Sequence, residues 1–477
     1  MNLHVLLLIF FAVGTFLLSK TKFERHAIIF LIRTKYFLKF IEGTANISKK
    51  FWKFFADLAI IFSFSALGVK YISKYNNCKV AMSILTTGII FSLFFSKTIM
   101  TFLILIFLFV ILSKSLENVK SENVNFFVFS VLLSFIWFKI LSGILLNFPD
   151  FSVLVITSII AGTFGIPTLV VISFIHQGYL IIFENLNTPG ISPFIPSVEK
   201  GEIVLSAPGT GFSIPILYAL FAITIAIFSH EFAHGILACA NRIKLKSTGI
   251  ATLGILPIGA FVEPDEDEMN KKDTLTRSRI FAVGSFSNFL VAVVFLFIWY
   301  YSPILFSSFS DGVIITGTQP GYSAYEKIKT NTIVYEINSI RVRNIAEFQN
   351  EMSKLKPMDE LILKTNYGEI SLIASENPKN PNSAYLGVIL IPHIPEFLSE
   401  TLFWTFFINF SIALVNLLPL IPLDGGRIFK EFIFSFKISK KMQERIFYSV
   451  ATLTLFLIFV NILPLFRMTI NFISGLF

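Results

Sequence analysis

Charge is scarce in this chain. Only 14% of its 477 residues are Asp, Glu, Lys or Arg, while 54% are hydrophobic. That balance excludes an ordinary soluble domain and places the chain in the membrane class. Cysteine is scarcer still. Cys78 and Cys239 both flank or lie in apolar stretches, so neither a disulfide framework nor a cysteine-based zinc site is available. The formal net charge is +9. The basic residues are scattered through short loops between apolar runs, with no basic groove and no interleaved aromatics. This excludes a nucleic-acid partner and fits loops beside an anionic leaflet.

What is present is a series of apolar runs. A span needs about 20 apolar residues. Ten candidates meet that need, near 3–19, 54–73, 80–96, 98–113, 125–147, 152–183, 212–240, 279–305, 397–422 and 445–466. The first has no basic residues ahead of it and Lys20, Lys22 and Arg25 behind it, as expected of a retained anchor. The stretch 27–53 mixes apolar residues with Arg33, Lys35, Lys39, Lys49 and Lys50 and reads as an interfacial, cytoplasmic segment. The run 152–183 carries Gly162, Gly165 and Pro167, which allows one kinked helix or two half-helices.

One region differs. Between about 308 and 395 the apolar runs shorten and both signs of charge appear. Val313–Ile315, Ile333–Ile337, Leu361–Leu363 and Leu386–Ile389 read as short strands. Asn344 to Leu355 reads as an amphipathic helix, N-capped by Asn344, with Ile345, Phe348, Met352 and Leu355 on one side. The fold class expected is a polytopic membrane helix bundle with a small α+β soluble insert. Four parts follow: an N-terminal transmembrane region at 1–211, a first membrane core at 212–305, the insert at 306–395 and a second membrane core at 396–477.

The chain's chemistry concentrates in "SHEFAH", Ser229 to His234, at the end of an uncharged apolar run. On a helix, residues four apart share a face, so His230 and His234 point the same way. Both imidazoles can then reach one zinc ion, with Glu231 beside it as a general base. Ionisable groups inside a membrane helix are costly unless they have partners, which argues against a chance pentad.

A catalytic zinc normally takes three protein ligands. Asp424, in "NLLPLIPLDGGRIF", stands in an apolar segment broken by Pro419 and Pro422 and followed by Gly425 and Gly426. It reads either as the third ligand or as the N-cap of a following helix. Rivals are Glu263, Asp265, Glu266, Asp267 and Glu268, which look like a solvated acidic loop, and His176, alone at a membrane edge. "STGIATLGILPIGAFVEP", Ser247 to Pro264, is apolar but too rich in Gly and Pro for a helix and too short to span. It reads as a membrane-embedded hairpin or re-entrant loop whose edge pairs with an unwound substrate, or as an ordinary interfacial loop.

HEFAH on a span, then "GAFVEPDE", "AVGSFSNFLVA", a soluble insert and "NLLPLIPLDGG" together resemble the site-2 protease family of intramembrane zinc metalloproteases. The insert itself resembles a PDZ domain. The resemblance implies one zinc held by His230, His234 and Asp424, with Glu231 activating a water. It implies a substrate that is another protein's transmembrane segment, in regulated intramembrane proteolysis. It also implies that Asn288 and Asn416 help position the substrate or the oxyanion, and that Gly259 in the hairpin is substrate-binding. Gly284 and Asn288 share one helix face and also suit close helix packing. Lys and Arg after the motif helix and after Asp424 put the active site towards the cytoplasmic side of a multi-pass cell-membrane protein, with the insert opposite. The alternatives are a polytopic transporter, which leaves Glu231 unexplained, or a non-catalytic scaffold of the same fold.

Overall fold

The computed structural model describes residues 3–21, 23–74, 126–127, 129–134, 137–138, 151–378 and 380–474. The spans expected at 80–96 and 98–113, and more than half of the one at 125–147, lie outside the described residues. Contacts divide the chain into two compact units, Met1–Val291 with Ile408–Phe477, and Ala292–Phe407.

The chain runs through helix α1 (Leu3–Ser19), strands β1 (Glu24–His26) and β2 (Ile29–Thr34), then α2 (Leu38–Ile47) and α3 (Lys49–Ser73). After the undescribed stretch come α4 (Phe151–Phe164), α5 (Ile166–Phe183) and strands β3 (Ile195–Glu199), β4 (Glu202–Ala207) and β5 (Phe212–Pro215). Helix α6 (Ile216–Ala240) carries the HEFAH motif and leads into β6 (Leu245–Leu253), β7 (Leu256–Pro264), α7 (Glu266–Asn270), α8 (Thr274–Tyr300) and α9 (Ser302–Leu305). Strands β8 (Val313–Thr318), β9 (Thr332–Ile337) and β10 (Ile340–Arg341), helix α10 (Ile345–Ser353), and strands β11 (Glu360–Thr365), β12 (Gly368–Ile373), β13 (Ser375–Asn377), β14 (Asn380–Tyr385) and β15 (Val388–Pro392) follow. Helices α11 (Glu396–Asn416), α12 (Asp424–Phe434) and α13 (Lys440–Ser474) close the chain.

Among the described residues, six helices are long and apolar enough to cross a membrane: α3, α5, α6, α8, α11 and α13. The run 152–183 is two helices. Gly165 between them has φ 86°, and a β-carbon there would overlap the carbonyl of Ser63 on α3. Pro167 then sits in the first turn of α5, where its missing N–H does no harm. The motif helix starts later than its apolar run suggests, because Phe212–Pro215 is a strand and Pro215 precedes the first turn.

The stretch 27–53 divides into β2, α2 and the start of α3. Its first part forms β2, which pairs with β6 from Ile29↔Leu253 to Thr34↔Thr248. The hairpin β6–β7 therefore sits in a four-stranded antiparallel sheet of order β1-β2-β6-β7, with β7 at one edge. Within β2, Phe30 is buried while Ile29 and Arg33 are exposed, as in a half-buried strand. Helix α2 then buries Ile41 and Ala45 against Ala233, Ile236 and Leu237 of the motif helix. The larger core of this unit gathers Ile61, Phe64 and Tyr71 of α3 with Phe286 of α8 and Phe432 of α12.

The second unit has its own core, built from Val313, Ile315, Val334, Ile337, Phe348, Leu361 and Leu363. Five strands run in the order β12-β11-β9-β8-β15, with β10 paired on β9. Asn344 caps α10 as expected: its side chain accepts the Glu347 N–H at 2.9 Å, and Glu347 reaches back to the Arg343 N–H at 2.8 Å. The chain is thus a membrane-type helical protein with a small α+β insert.

Candidate active site

Helix α6 places the two histidines one turn apart on one face, and small residues on that helix let its neighbours approach. Ala219, Ala222 and Ala226 are completely buried. Gly235 faces Val262 of β7 and Ile41 of α2, where a β-carbon would lie 3.0 and 3.1 Å from them. Asn241 ends the helix by donating its side-chain amide to the carbonyl of Leu237 at 2.8 Å.

Asp424 reaches the same point from the start of α12. Leu423, not Asp424, occupies the N-cap position, and no side chain caps the helix there. The capping alternative therefore does not describe this aspartate. Gly425 and Gly426 permit its approach: a β-carbon on either would overlap backbone of Leu417 or Leu420. The salt bridge of Arg277 to Glu431, with both bonds at 2.7 Å, ties α12 to α8.

Nε2 of His230, Nε2 of His234 and Oδ2 of Asp424 form a triangle with all three sides 3.1 Å. They are the group of potential metal-ligating side chains found among the described residues. A tetrahedral zinc shell with bonds of about 2.0–2.1 Å has ligand–ligand edges of roughly 3.3–3.4 Å, close to this triangle. The surroundings fit the same use. Nδ1 of His234 lies 2.6 Å from the carbonyl oxygen of Ile280. A carbonyl only accepts, so Nδ1 carries the proton and Nε2 of a neutral His234 presents its lone pair to the triangle. Converging lone pairs and a carboxylate call for a proton or a cation among them. Gly284 backs the triangle, and a β-carbon there would intrude on both imidazoles.

Asn288 lies behind His230. It is completely buried; its Oδ1 accepts from Ser229 Oγ at 2.8 Å, and its Nδ2 lies 3.5 Å from His230 Nδ1. Turning the amide over exchanges these roles without moving an atom, and Oδ1 then accepts the Nδ1 proton of His230. Asn288 is absent from the lining of the cavity beside the triangle. This place suits a partner of His230 better than the substrate contact expected from the sequence.

That cavity has a volume of about 410 Å³. Glu231 lines it with the three triangle residues, Gly259 to Val262 of β7, Asn416, and Pro422 to Leu423. Gly259 and Asn416 thus stand at the cavity, as a substrate contact would require. Glu231 Oε2 accepts a hydrogen bond from the Val262 N–H at 2.9 Å.

Three of the five rival carboxylates are engaged elsewhere. Glu263 accepts from Ser247 Oγ at 2.6 Å and from Arg33 Nε at 3.1 Å. The Ser247 hydroxyl, followed by the Arg33 guanidinium, holds its carboxyl below the usual range. Asp265 caps α7 by accepting the Glu268 N–H at 3.0 Å, and Glu268 accepts the Lys244 N–H at 2.8 Å. His176 is exposed on α5.

Sequence reasoning missed the groups that support the triangle. Asp57 of α3, completely buried, takes both bonds of a fork with Arg279, at 2.6 and 2.9 Å. Arg279 immediately precedes Ile280, whose carbonyl holds His234. Asp57, an acid alone in the apolar run 54–69, was the available signal; Arg279 ends the basic stretch Lys271 to Arg279 and does not stand out there.

A model of peptidase family M50 matches residues 218–461, about half of the chain. The uncharacterized protein MJ0971 of Methanocaldococcus jannaschii is 31% identical over 278 residues, covering 57% of this chain and 70% of that protein. Two solved structures are similar to a short part of the chain. The PDZ domain of an SdrC-like protein from Listeria innocua is 18% identical, with 17% of this chain and 93% of that one covered and a TM-score of 0.16. The PDZ domain of an SdrC-like protein from Listeria monocytogenes is 16% identical, with 17% and 87% covered and a TM-score of 0.16. The HEFAH motif, the α8 segment behind it and the aspartate of α12 all fall inside the matched region, and the chain belongs to peptidase family M50, the site-2 protease family of membrane metalloproteases.

Proposed function

We propose that this chain is a zinc endopeptidase that cuts the transmembrane segments of other proteins, as one step of regulated intramembrane proteolysis. The observation that carries this reading is the triangle of His230, His234 and Asp424 beside Glu231, at a cavity walled by the edge of β7. His230, His234 and Asp424 would hold the metal. Zinc at such a site supplies a nucleophilic water at neutral pH and polarises a carbonyl. Glu231 takes a proton from the attacking water and passes it to the leaving amine. Ile280 and Asn288 fix the two imidazoles from behind.

A helical substrate hides its carbonyls in i→i−4 hydrogen bonds, so it must be extended before it is cut. The edge of β7 offers backbone groups to an extended segment, with Gly259 and Asn416 at the cavity. The site faces the cytoplasmic side of the cell membrane in this reading. The insert, 306–395, is a PDZ-like module that screens substrates by their external parts.

Metal analysis of the purified full-length protein, alongside cleavage of a model transmembrane substrate, tests the assignment. One zinc per chain is expected, with Glu231→Gln keeping the metal and losing about 10²–10⁴-fold in rate. Stoichiometric zinc retained after His230→Ala with His234→Ala, or wild-type cleavage by Glu231→Gln, would overturn it.

A further inference from the structure

Strand β7 is an edge strand, and its two sides differ. In an antiparallel ladder, residues alternate between pairs that exchange hydrogen bonds and pairs whose N–H and C=O point away. Val262 is partnered with Thr248 of β6, yet its N–H goes to Glu231 on the other side. Val262 therefore belongs to the outward set. Ala260, two residues back and opposite Ile250 with no irregularity between, belongs to it too. An extended segment that adds to β7 must bond to these outward groups, because Phe261 and Gly259 point theirs at β6.

The Val262 amide is thus wanted twice. It is an outward donor at the cavity, where a substrate strand would place a carbonyl. It is also the donor to Oε2 of Glu231 at 2.9 Å. One linear N–H serves one acceptor well. We propose that Glu231 and an extended substrate compete for the Val262 amide, so that strand pairing on β7 releases the general base. The carboxylate is held by the strand edge while no segment is paired. A segment that pairs takes the amide, and Glu231 is then free to turn towards the reacting water. The device restricts hydrolysis to chains extended along β7. It rests on the peptidase reading above and adds a specificity-determining role for a backbone group.

Val262→Pro removes the donor. Proline is tolerated on an edge strand when the lost N–H faces away from the ladder. An α-hydroxy acid placed at 262 by nonsense suppression removes the same N–H with less steric change, and serves if the proline variant does not fold. Two substrates are compared in full-length protein: a model transmembrane segment, and a reporter peptide too short to reach β7. The expected result is a split. Turnover of the short reporter rises about tenfold, because the base is no longer held. The kcat/KM for the transmembrane segment falls about tenfold, because pairing has lost a bond. Short-reporter turnover at or below the wild-type level, with zinc content and Tm unchanged, would overturn the proposal. A third measurement reads the contact without catalysis. Hydrogen exchange at the Val262 amide should quicken about tenfold in Glu231→Ala, and an unchanged rate would also overturn it. If wild type and Glu231→Gln cleave neither substrate above background, the peptidase reading fails instead, while the exchange experiment still reports on the contact.

Discussion

A β-carbon on Gly284 would lie 2.8 Å from Cε1 of His230 and closer still to Nε2 of His234. The absence of a side chain on α8 is therefore what leaves room for two imidazoles to converge. Gly284→Ala sets two effects against each other. Inside a helix, alanine is favoured over glycine by about 1 kcal/mol. At this position its methyl group must push one imidazole off the triangle. Thermal stability should be kept, and zinc affinity should fall at least about tenfold, by the scale of perturbations around metal ligands. Competition with a chelator measures this. A variant that holds zinc as tightly as wild type would show that the triangle has slack.

Asn288 offers a second check, because two roles for it differ in readout. As a partner of His230, its loss should weaken metal binding by about 10–100-fold and leave KM little changed once zinc is saturating. As a substrate contact, its loss should raise KM and spare the metal. Asn288→Ala is expected to behave in the first way. Asn288→Asp keeps an acceptor for the His230 Nδ1 proton and should recover much of the affinity.

Much of this site was legible in the sequence, and the reason is chemical. His230, Glu231, His234 and Asp424 are ionisable groups in apolar runs, and such groups demand a use. The insert was legible for the opposite reason, as a place where apolar runs shorten and charge returns. What the sequence hid was pairing over long separations. Nothing within Ile29–Thr34 announces its pairing with Thr248–Leu253, more than 200 residues away. The helix boundary at Phe212 was hidden because the apolar run continues through a strand into the helix, and hydropathy does not distinguish them. Ile280 was invisible because its contribution is a backbone carbonyl, which no side-chain pattern announces.

Asp57 and Arg279 give a third prediction. Both bonds of their fork are buried, and Arg279 adjoins the carbonyl that orients His234. Asp57→Ala leaves a buried guanidinium without its partner and should cost about 3–5 kcal/mol of stability. Arg279→Met in the same protein removes the orphaned charge and should restore part of the loss. Thermal unfolding of the single and double variants in detergent decides the matter. A double variant no more stable than Asp57→Ala would mean that packing, not the unpaired charge, sets the cost. Zinc affinity in the double variant then asks whether the ion pair also serves the site. If it does, affinity stays low after stability has recovered.

The insert can be removed cleanly, because its two ends are already tied. The Asp311 N–H donates to the His393 carbonyl at 3.1 Å, and the His393 N–H donates to the Gly312 carbonyl at 2.9 Å. The Asp311 carboxylate lies 2.7 Å from Nδ1 of His393. A short flexible linker joining Ser310 to Ile394 should therefore span the gap without strain. The insert has its own core, and the His-His-Asp triangle draws no residue from it. The excised protein should fold, bind zinc with wild-type affinity and cut a bare transmembrane substrate. Its discrimination against substrates with bulky external domains should weaken, since a screening module is gone. Comparing cleavage of a substrate with and without a folded external domain measures that discrimination as a ratio. An excised protein that holds zinc but cuts no short substrate would make the insert part of the catalytic machinery. One whose ratio is unchanged would leave the insert without a screening role.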